Sequence, residues 1–203
     1  MEELLMGDSP QQKTSVWDDY VPIISEGRTI DIYLTDAIDA PSEYNKACHM
    51  LSKAYKGDSV TLHINNGGGY VDSGFMLVDA IKHTKATVTA KLSGTVASVA
   101  TIITLACNDV IAADYLQFMI HNYSGGASGK GHEMKAQMDF TDSELNKAFS
   151  EIYGMFLTEH EMELVIAGKD IWMGKDELLA RLKARKNNDL EALKEIETTR
   201  KAK

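Results

Sequence analysis

Apolar and polar positions alternate along Arg28-Thr29-Ile30-Asp31-Ile32-Tyr33-Leu34, and again along Val60-Thr61-Leu62-His63-Ile64-Asn65 and Thr87-Val88-Thr89-Ala90-Lys91-Leu92. A period of two sends successive side chains to opposite faces, so each stretch predicts a strand with one face on a core. The second of them is expected to stop at Gly67-Gly68-Gly69. Between the strands the period lengthens. Pro41 and Ser42 open a helix through Ala47, Met50, Leu51 and Ala54 that stops near Lys56-Gly57-Asp58. Val71, Phe75, Val78 and Ile81 mark one face of a helix over 71–83. The run 99–107 is apolar on all sides and predicts a buried helix. Short strands are expected over 110–113 and 117–121. Strand alternating with helix in this way points to parallel β-α-β units and an α/β fold.

The second half reads differently. Gly125-Gly126-Ala127-Ser128-Gly129 is a glycine-rich turn. Helical stretches are expected over 132–158 and 159–167, and another helix begins at Asp176. Residues 185–203 are charged and helix-prone, a solvated helix or a frayed tail. At the other end, residues 1–26 are polar, with Pro10 and Gln11-Gln12, and are expected to form a flexible arm. The division expected is therefore an arm over 1–26, one folded domain over 27–184 and a charged tail over 185–203.

Composition narrows the function classes. An apolar fraction of 44% in 203 residues supports one conventional core. A net charge of −9 argues against general nucleic-acid binding, because no basic stripe is present to neutralise phosphates. Cys48 and Cys107 lie in apolar helical contexts and read as small buried hydrophobes of a reducing compartment. Met1-Glu2-Glu3-Leu4-Leu5 lacks the basic start of a secretory leader, and the longest apolar run is too short to span a bilayer. A cytoplasmic protein without a membrane partner is expected. No His-Glu-x-x-His or paired-cysteine spacing suggests a metal, and the triple glycine lacks the lysine and hydroxyl of a phosphate cradle, so no cofactor is expected.

The chemistry centres on Gly94-Thr95-Val96-Ala97-Ser98-Val99-Ala100. A serine among alanines and valines is more often a packing residue than a nucleophile. Two features raise the second reading. Gly94 is expected to let the chain turn from strand to helix, placing Ser98 near a helix N-terminus that favours a developing anion. Gly67-Gly68-Gly69 also follows a strand, and in a parallel sheet both loops open on the carboxyl edge where ligands bind. His121, closing the apolar stretch Phe118-Met119-Ile120, is a core histidine or a base delivered to that edge. His49, His63, His83, His132 and His160 sit in poorer positions.

Three of these segments, in this order, resemble the proteolytic subunit of the Clp protease family. Ile64-Asn65-Asn66-Gly67-Gly68-Gly69 matches its Ile-Asn-Ser-Pro-Gly-Gly, Gly94 to Ser98 its nucleophile segment, and Met119-Ile120-His121-Asn122-Tyr123 its Met-Ile-His-Gln-Pro. The resemblance extends over about residues 27–182. Gly67, Val99 and Asn122-Tyr123 depart from the pattern, in the manner of a divergent branch such as the head-maturation proteases of bacteriophages. The resemblance implies an α/β fold, a spiral of β-β-α units shared with the crotonases, with a protruding helix-strand handle over 125–167. It implies a serine endopeptidase acting on protein or peptide substrates. Ser98 would be the nucleophile, His121 the general base, and the Gly69 and Val99 amides the oxyanion hole. Asp170 stands at the acid's place by ungapped counting; in another register Glu163 or no residue takes it. Stacked rings, often heptameric, and an ATP-dependent unfoldase partner are implied as well. The rival readings are an inactive structural subunit of the same family and a crotonase-like acyl-CoA enzyme.

Overall fold

Strand and helix alternate as the periodicity predicts, but three strands run further than expected. The computed structural model describes residues 27–201, so the arm expected over 1–26 lies outside it. The first half comprises β1 (Thr29–Ile38), a 3-10 turn (Pro41–Tyr44) leading into α1 (Asn45–Ser52), β2 (Ser59–Gly69), α2 (Val71–His83), β3 (Thr87–Ala97) and α3 (Val99–Ala106). Then follow β4 (Asp109–Ala112), β5 (Gln117–Ile120), α4 (Gly131–Tyr153), α5 (Glu159–Ile166), β6 (Ile171–Met173), α6 (Lys175–Asn187) and α7 (Leu190–Lys201). Among the described residues this makes a six-stranded sheet and seven α-helices.

The sheet order is β1-β2-β3-β5-β6, with β4 also on β3. All pairs are parallel except β5 with β6. Alternation along β1 to β3 sends Ile32, Leu34, Val60, Leu62, Ile64, Val88, Ala90 and Leu92 into one core with Leu77, Val78 and Ile81 of α2 and Ile102 and Ile103 of α3. Each such aliphatic side chain contributes about 1.5–3 kcal/mol by leaving water. The opposite face carries the register row Tyr33, His63, Lys91 and Ile111. One face is therefore apolar and the other mixed, which is why the period of two was so legible.

β3 changes neighbours halfway along. Thr89 to Leu92 pair with β4, and Thr95 to Ala97 pair with β5. The bend between them contains Gly94 at φ +60°, where a Cβ would lie 2.7 Å from Asn65 Oδ1. Asn65 Oδ1 accepts from the Thr95 amide at 3.2 Å, filling the bend. Gly94 thus serves a bulge within the strand, and the turn into the helix comes four residues later, at Ser98. β2 likewise continues through the glycines to Gly69, with a register shift against β1 between Asp36 and Ile38.

The helical half shares the apolar core through Phe156, Leu157, Met162, Val165 and Leu178, and adds a buried charge network. α4 has 23 residues and is about 34 Å long, yet only Phe149 and Tyr153, at its last turns, are buried. It ends at Tyr153, short of the stretch expected to 158. α5 begins on a capping box, with Thr158 Oγ1 accepting from the Glu161 amide and Glu161 Oε2 from the Thr158 amide. Glu161 and Arg181 of α6 are both fully buried and pair bidentately at 2.9 and 2.7 Å. Arg181 also donates to Glu177 and to the Phe156 carbonyl, while Arg200 of α7 lies 3.1 Å from Glu161. Leu193 and Glu197 of α7 are buried, and Thr158 donates to Glu197. Residue 184, drawn as a boundary from the sequence, falls inside α6.

Candidate functional site

Ser98 is the joint between β3 and α3. Its backbone has φ +57° and ψ −132°, a left-handed conformation in a residue with a Cβ. Such geometry costs on the order of 1–3 kcal/mol and persists only where the surroundings enforce it. Both sides do so here. The Ser98 amide donates to the Met119 carbonyl of β5 at 2.9 Å, and its carbonyl accepts from the Thr101 amide and from Thr101 Oγ1 at 2.9 and 2.7 Å. Tyr153 then donates its hydroxyl to Thr101 Oγ1 at 2.7 Å. Burial holds the Tyr153 phenol well above its ordinary pKa, the Thr101 bond offsetting this only in part, so it stays protonated as a donor. A sharp strand-to-helix turn of this kind lifts a serine hydroxyl clear of the sheet edge.

The glycine run meets this joint directly. A Cβ on Gly68, at φ +98°, would stand 2.4 Å from Ser98 Cβ and 3.0 Å from Ser98 Oγ. Nothing but glycine leaves the hydroxyl its space. Gly69 is the next residue, opposite Ile38 in the β1–β2 register. Val99 is the first residue of α3, where a helix leaves its amide without an intrahelical partner. The family resemblance singled out Gly69 for its amide. Gly68 was missed, although it stands at the centre of the triple glycine.

His121 follows β5 immediately, two residues after the carbonyl that receives the Ser98 amide. Ser98 and His121 line one small cavity, together with Val99 and Tyr123. Both are half-buried. Among the described residues no hydrogen bond joins Ser98 Oγ to the imidazole in this conformation. Asn122 fixes the segment from behind: its Oδ1 accepts from the Tyr123 amide at 2.8 Å, and its Nδ2 donates to the Ile166 carbonyl at the end of α5 at 3.1 Å. The Tyr123 hydroxyl donates to Asp142 of α4.

The two candidate acids are less closely tied. Asp170 is exposed and precedes β6. Ile120 pairs with Ile171 in the antiparallel ladder, so Asp170 falls one step beyond it, across from His121. Glu163 is exposed on α5. Among the described residues neither carboxylate forms a hydrogen bond to His121. Thr101, Phe149 and Tyr153 were not legible as site residues. Thr101, three residues past the serine, had the spacing of a local side-chain-to-carbonyl bond; the aromatic pair on α4 gave no local sign.

Other nucleophiles and ligand sets are poorly placed. Burial pushes the Cys107 thiol up to about 12, and burial with the nearby Asp79 charge raises Cys48, so neither is a thiolate at neutral pH. Among the described residues no group of three or more His, Cys, Asp or Glu side chains could hold a metal ion. No described helix is long and apolar enough to cross a membrane.

Comparison with known proteins points to one family. Residues 12–179 match the family model described as Clp protease. The chain is 29% identical to the ATP-dependent Clp protease proteolytic subunit 3 of Rhizobium meliloti over 142 residues, covering 66% of this chain and 71% of that protein. It is 27% identical to the ATP-dependent Clp protease proteolytic subunit of Streptococcus suis over 184 residues, covering 79% and 92%.

Proposed function

Since the chain belongs to the Clp protease family, we propose that it is a serine endopeptidase using Ser98 as nucleophile and His121 as general base. The observation behind this reading is the shared cavity, entered by Ser98 from a strained elbow and by His121 from the adjoining strand end. Ser98 Oγ attacks the peptide carbonyl while His121 takes its proton. The Gly69 and Val99 amides receive the oxyanion, and His121 returns the proton to the leaving amine. Water, deprotonated by the same imidazole, then hydrolyses the ester and frees Ser98. Asp170 is assigned the orienting role from its place beyond the β5–β6 ladder, with Glu163 as the alternative.

The relatives' names describe an ATP-dependent proteolytic subunit, and we extend that description to this chain. It would act in the cytoplasm within stacked rings, often of seven subunits, fed by an unfoldase or cutting phage head proteins directly. The long projecting α4, with Phe140 69% exposed, supports such an assembly.

The test is Ser98→Ala beside the unaltered protein, with casein cleavage and fluorophosphonate labelling as readouts. Cleavage should fall by about a thousand-fold or more, and labelling should disappear. Undiminished cleavage by the variant would overturn the assignment.

A further inference from the structure

The cavity shared by Ser98 and His121 has a volume of about 10 Å³, about enough for one water molecule or a methyl group. The hollows of about 560 Å³ between α6 and α7 and about 530 Å³ beside the α3–β4 turn are lined by neither residue. What fills the small cavity is aromatic. Phe149 and Tyr153 of α4 are 3% and 1% exposed, packed edge-to-face with ring centroids 5.9 Å apart. Tyr123 closes the remaining side and is tied to α4 through Asp142. Val71, Val99 and Ile102 complete an apolar lining.

Resting on the serine-peptidase reading, we propose that this cavity receives the substrate side chain just before the scissile bond, and that its aromatic filling selects small residues there: alanine, glycine or serine. A peptide carbonyl attacked by Ser98 places the first atom of that side chain three bonds from the serine oxygen, and among the described residues this is the apolar recess that Ser98 lines. Alanine adds one methyl group, which the volume admits. A leucine or phenylalanine needs Phe149 or Tyr153 to leave. Tyr153 is not free to do so, because its hydroxyl bond to Thr101 supports the Ser98 carbonyl. Displacing it would disturb the elbow that presents the nucleophile. Large side chains are therefore opposed both by volume and by the geometry of the reacting serine. Phe149, Tyr153 and Tyr123 are specificity-determining residues in this reading.

The experiment uses the full chain and two kinds of probe. A small ethoxy fluorophosphonate measures whether Ser98 reacts at all. Peptidyl diphenyl phosphonates, identical except for alanine, leucine or phenylalanine next to phosphorus, measure the pocket. In these, Ser98 Oγ bonds to phosphorus, the phosphorus–phenoxide bond breaks, and the serine proton leaves with phenol by way of His121. The alanine probe should react at least about ten-fold faster than the leucine probe, with phenylalanine slowest; a tenfold ratio corresponds to 1.4 kcal/mol. Phe149→Ala and Tyr123→Ala should each bring the alanine-to-leucine ratio towards one. Tyr123 is half-buried, so its variant tests the pocket even if Phe149→Ala fails to fold. Leucine or phenylalanine reacting as fast as alanine, or a ratio unmoved in the folded variants, would overturn the size restriction alone. Absence of any fluorophosphonate labelling at Ser98 would overturn the peptidase reading and the pocket with it.

Discussion

The layer of β1, β2, β3, α2 and α3 is held by aliphatic side chains, whereas α5, α6 and α7 add to their apolar contacts a buried arginine and a buried glutamate. The two layers support different parts of the candidate site. Ser98 grows out of the aliphatic layer through β3 and α3. The segment of His121 is braced by Asn122 on the last carbonyl turn of α5, and the first turn of α5 rests on Glu161, Arg181 and Arg200. Aliphatic packing tolerates small rearrangements with graded cost. A buried ion pair does not, since removing one partner strands the other's charge in a medium that cannot solvate it. The serine side should therefore yield gradually to mutation and the histidine side abruptly.

The sharpest way to break this contrast is Arg181→Met. Loss of the guanidinium should destabilise the protein by about 3–5 kcal/mol, lowering Tm by roughly 10 °C in a chain of this size, as read by calorimetry or circular dichroism. A change under about 2 °C would mean that water replaces the arginine and that the two layers do not differ. The serine side is probed by comparing Ser98→Gly with Ser98→Ala in urea unfolding. Glycine accepts φ +57° without a Cβ penalty, so Ser98→Gly should be the more stable by about 1 kcal/mol. Equal stabilities would remove the strained elbow from the account. The last probe is a polar staple of the aliphatic layer. Asp58 accepts from the Arg28 amide and guanidinium and from the Tyr55 amide, and the Arg28 side-chain bond leads in holding its carboxyl well below the usual range. A depressed carboxyl stabilises the fold above its unfolded pKa, about 4, and the benefit fades as pH falls through the folded value. Stability should hold from neutral pH to about 4 and drop below it, with Asp58→Asn flattening that acid limb in urea titrations at successive pH values.

The same contrast decides what was legible in the sequence. Strands and helices of the aliphatic layer announce themselves through side-chain period, and α2 was bounded correctly at both ends. The continuation of β2 through Gly67-Gly68-Gly69 was hidden, because glycine reads as a breaker unless its neighbours across the sheet are known. Ser98 was singled out as a candidate by its surroundings, but its positive φ was not foreseen, since serine carries no mark of that conformation. β6 is three residues long, too short to show a period. The burial of Glu161 and Arg181 had no local signal at all: Asp176-Glu177-Leu178-Leu179 marks a helix start and nothing more until α5 and α7 are laid against it. Its nearest clue was the Thr158-to-Glu161 spacing of a capping box, which marks a helix start and says nothing of an arginine across the gap.

The elbow at Ser98 belongs to the main chain rather than to the hydroxyl it displays. The Met119 and Thr101 bonds that impose it attach to the backbone of residue 98, so an alanine there inherits the same crooked posture and the same doorway. On the peptidase reading, such a protein is a decoy: it welcomes its clients, has nothing with which to cut them, and lets them be collected whole.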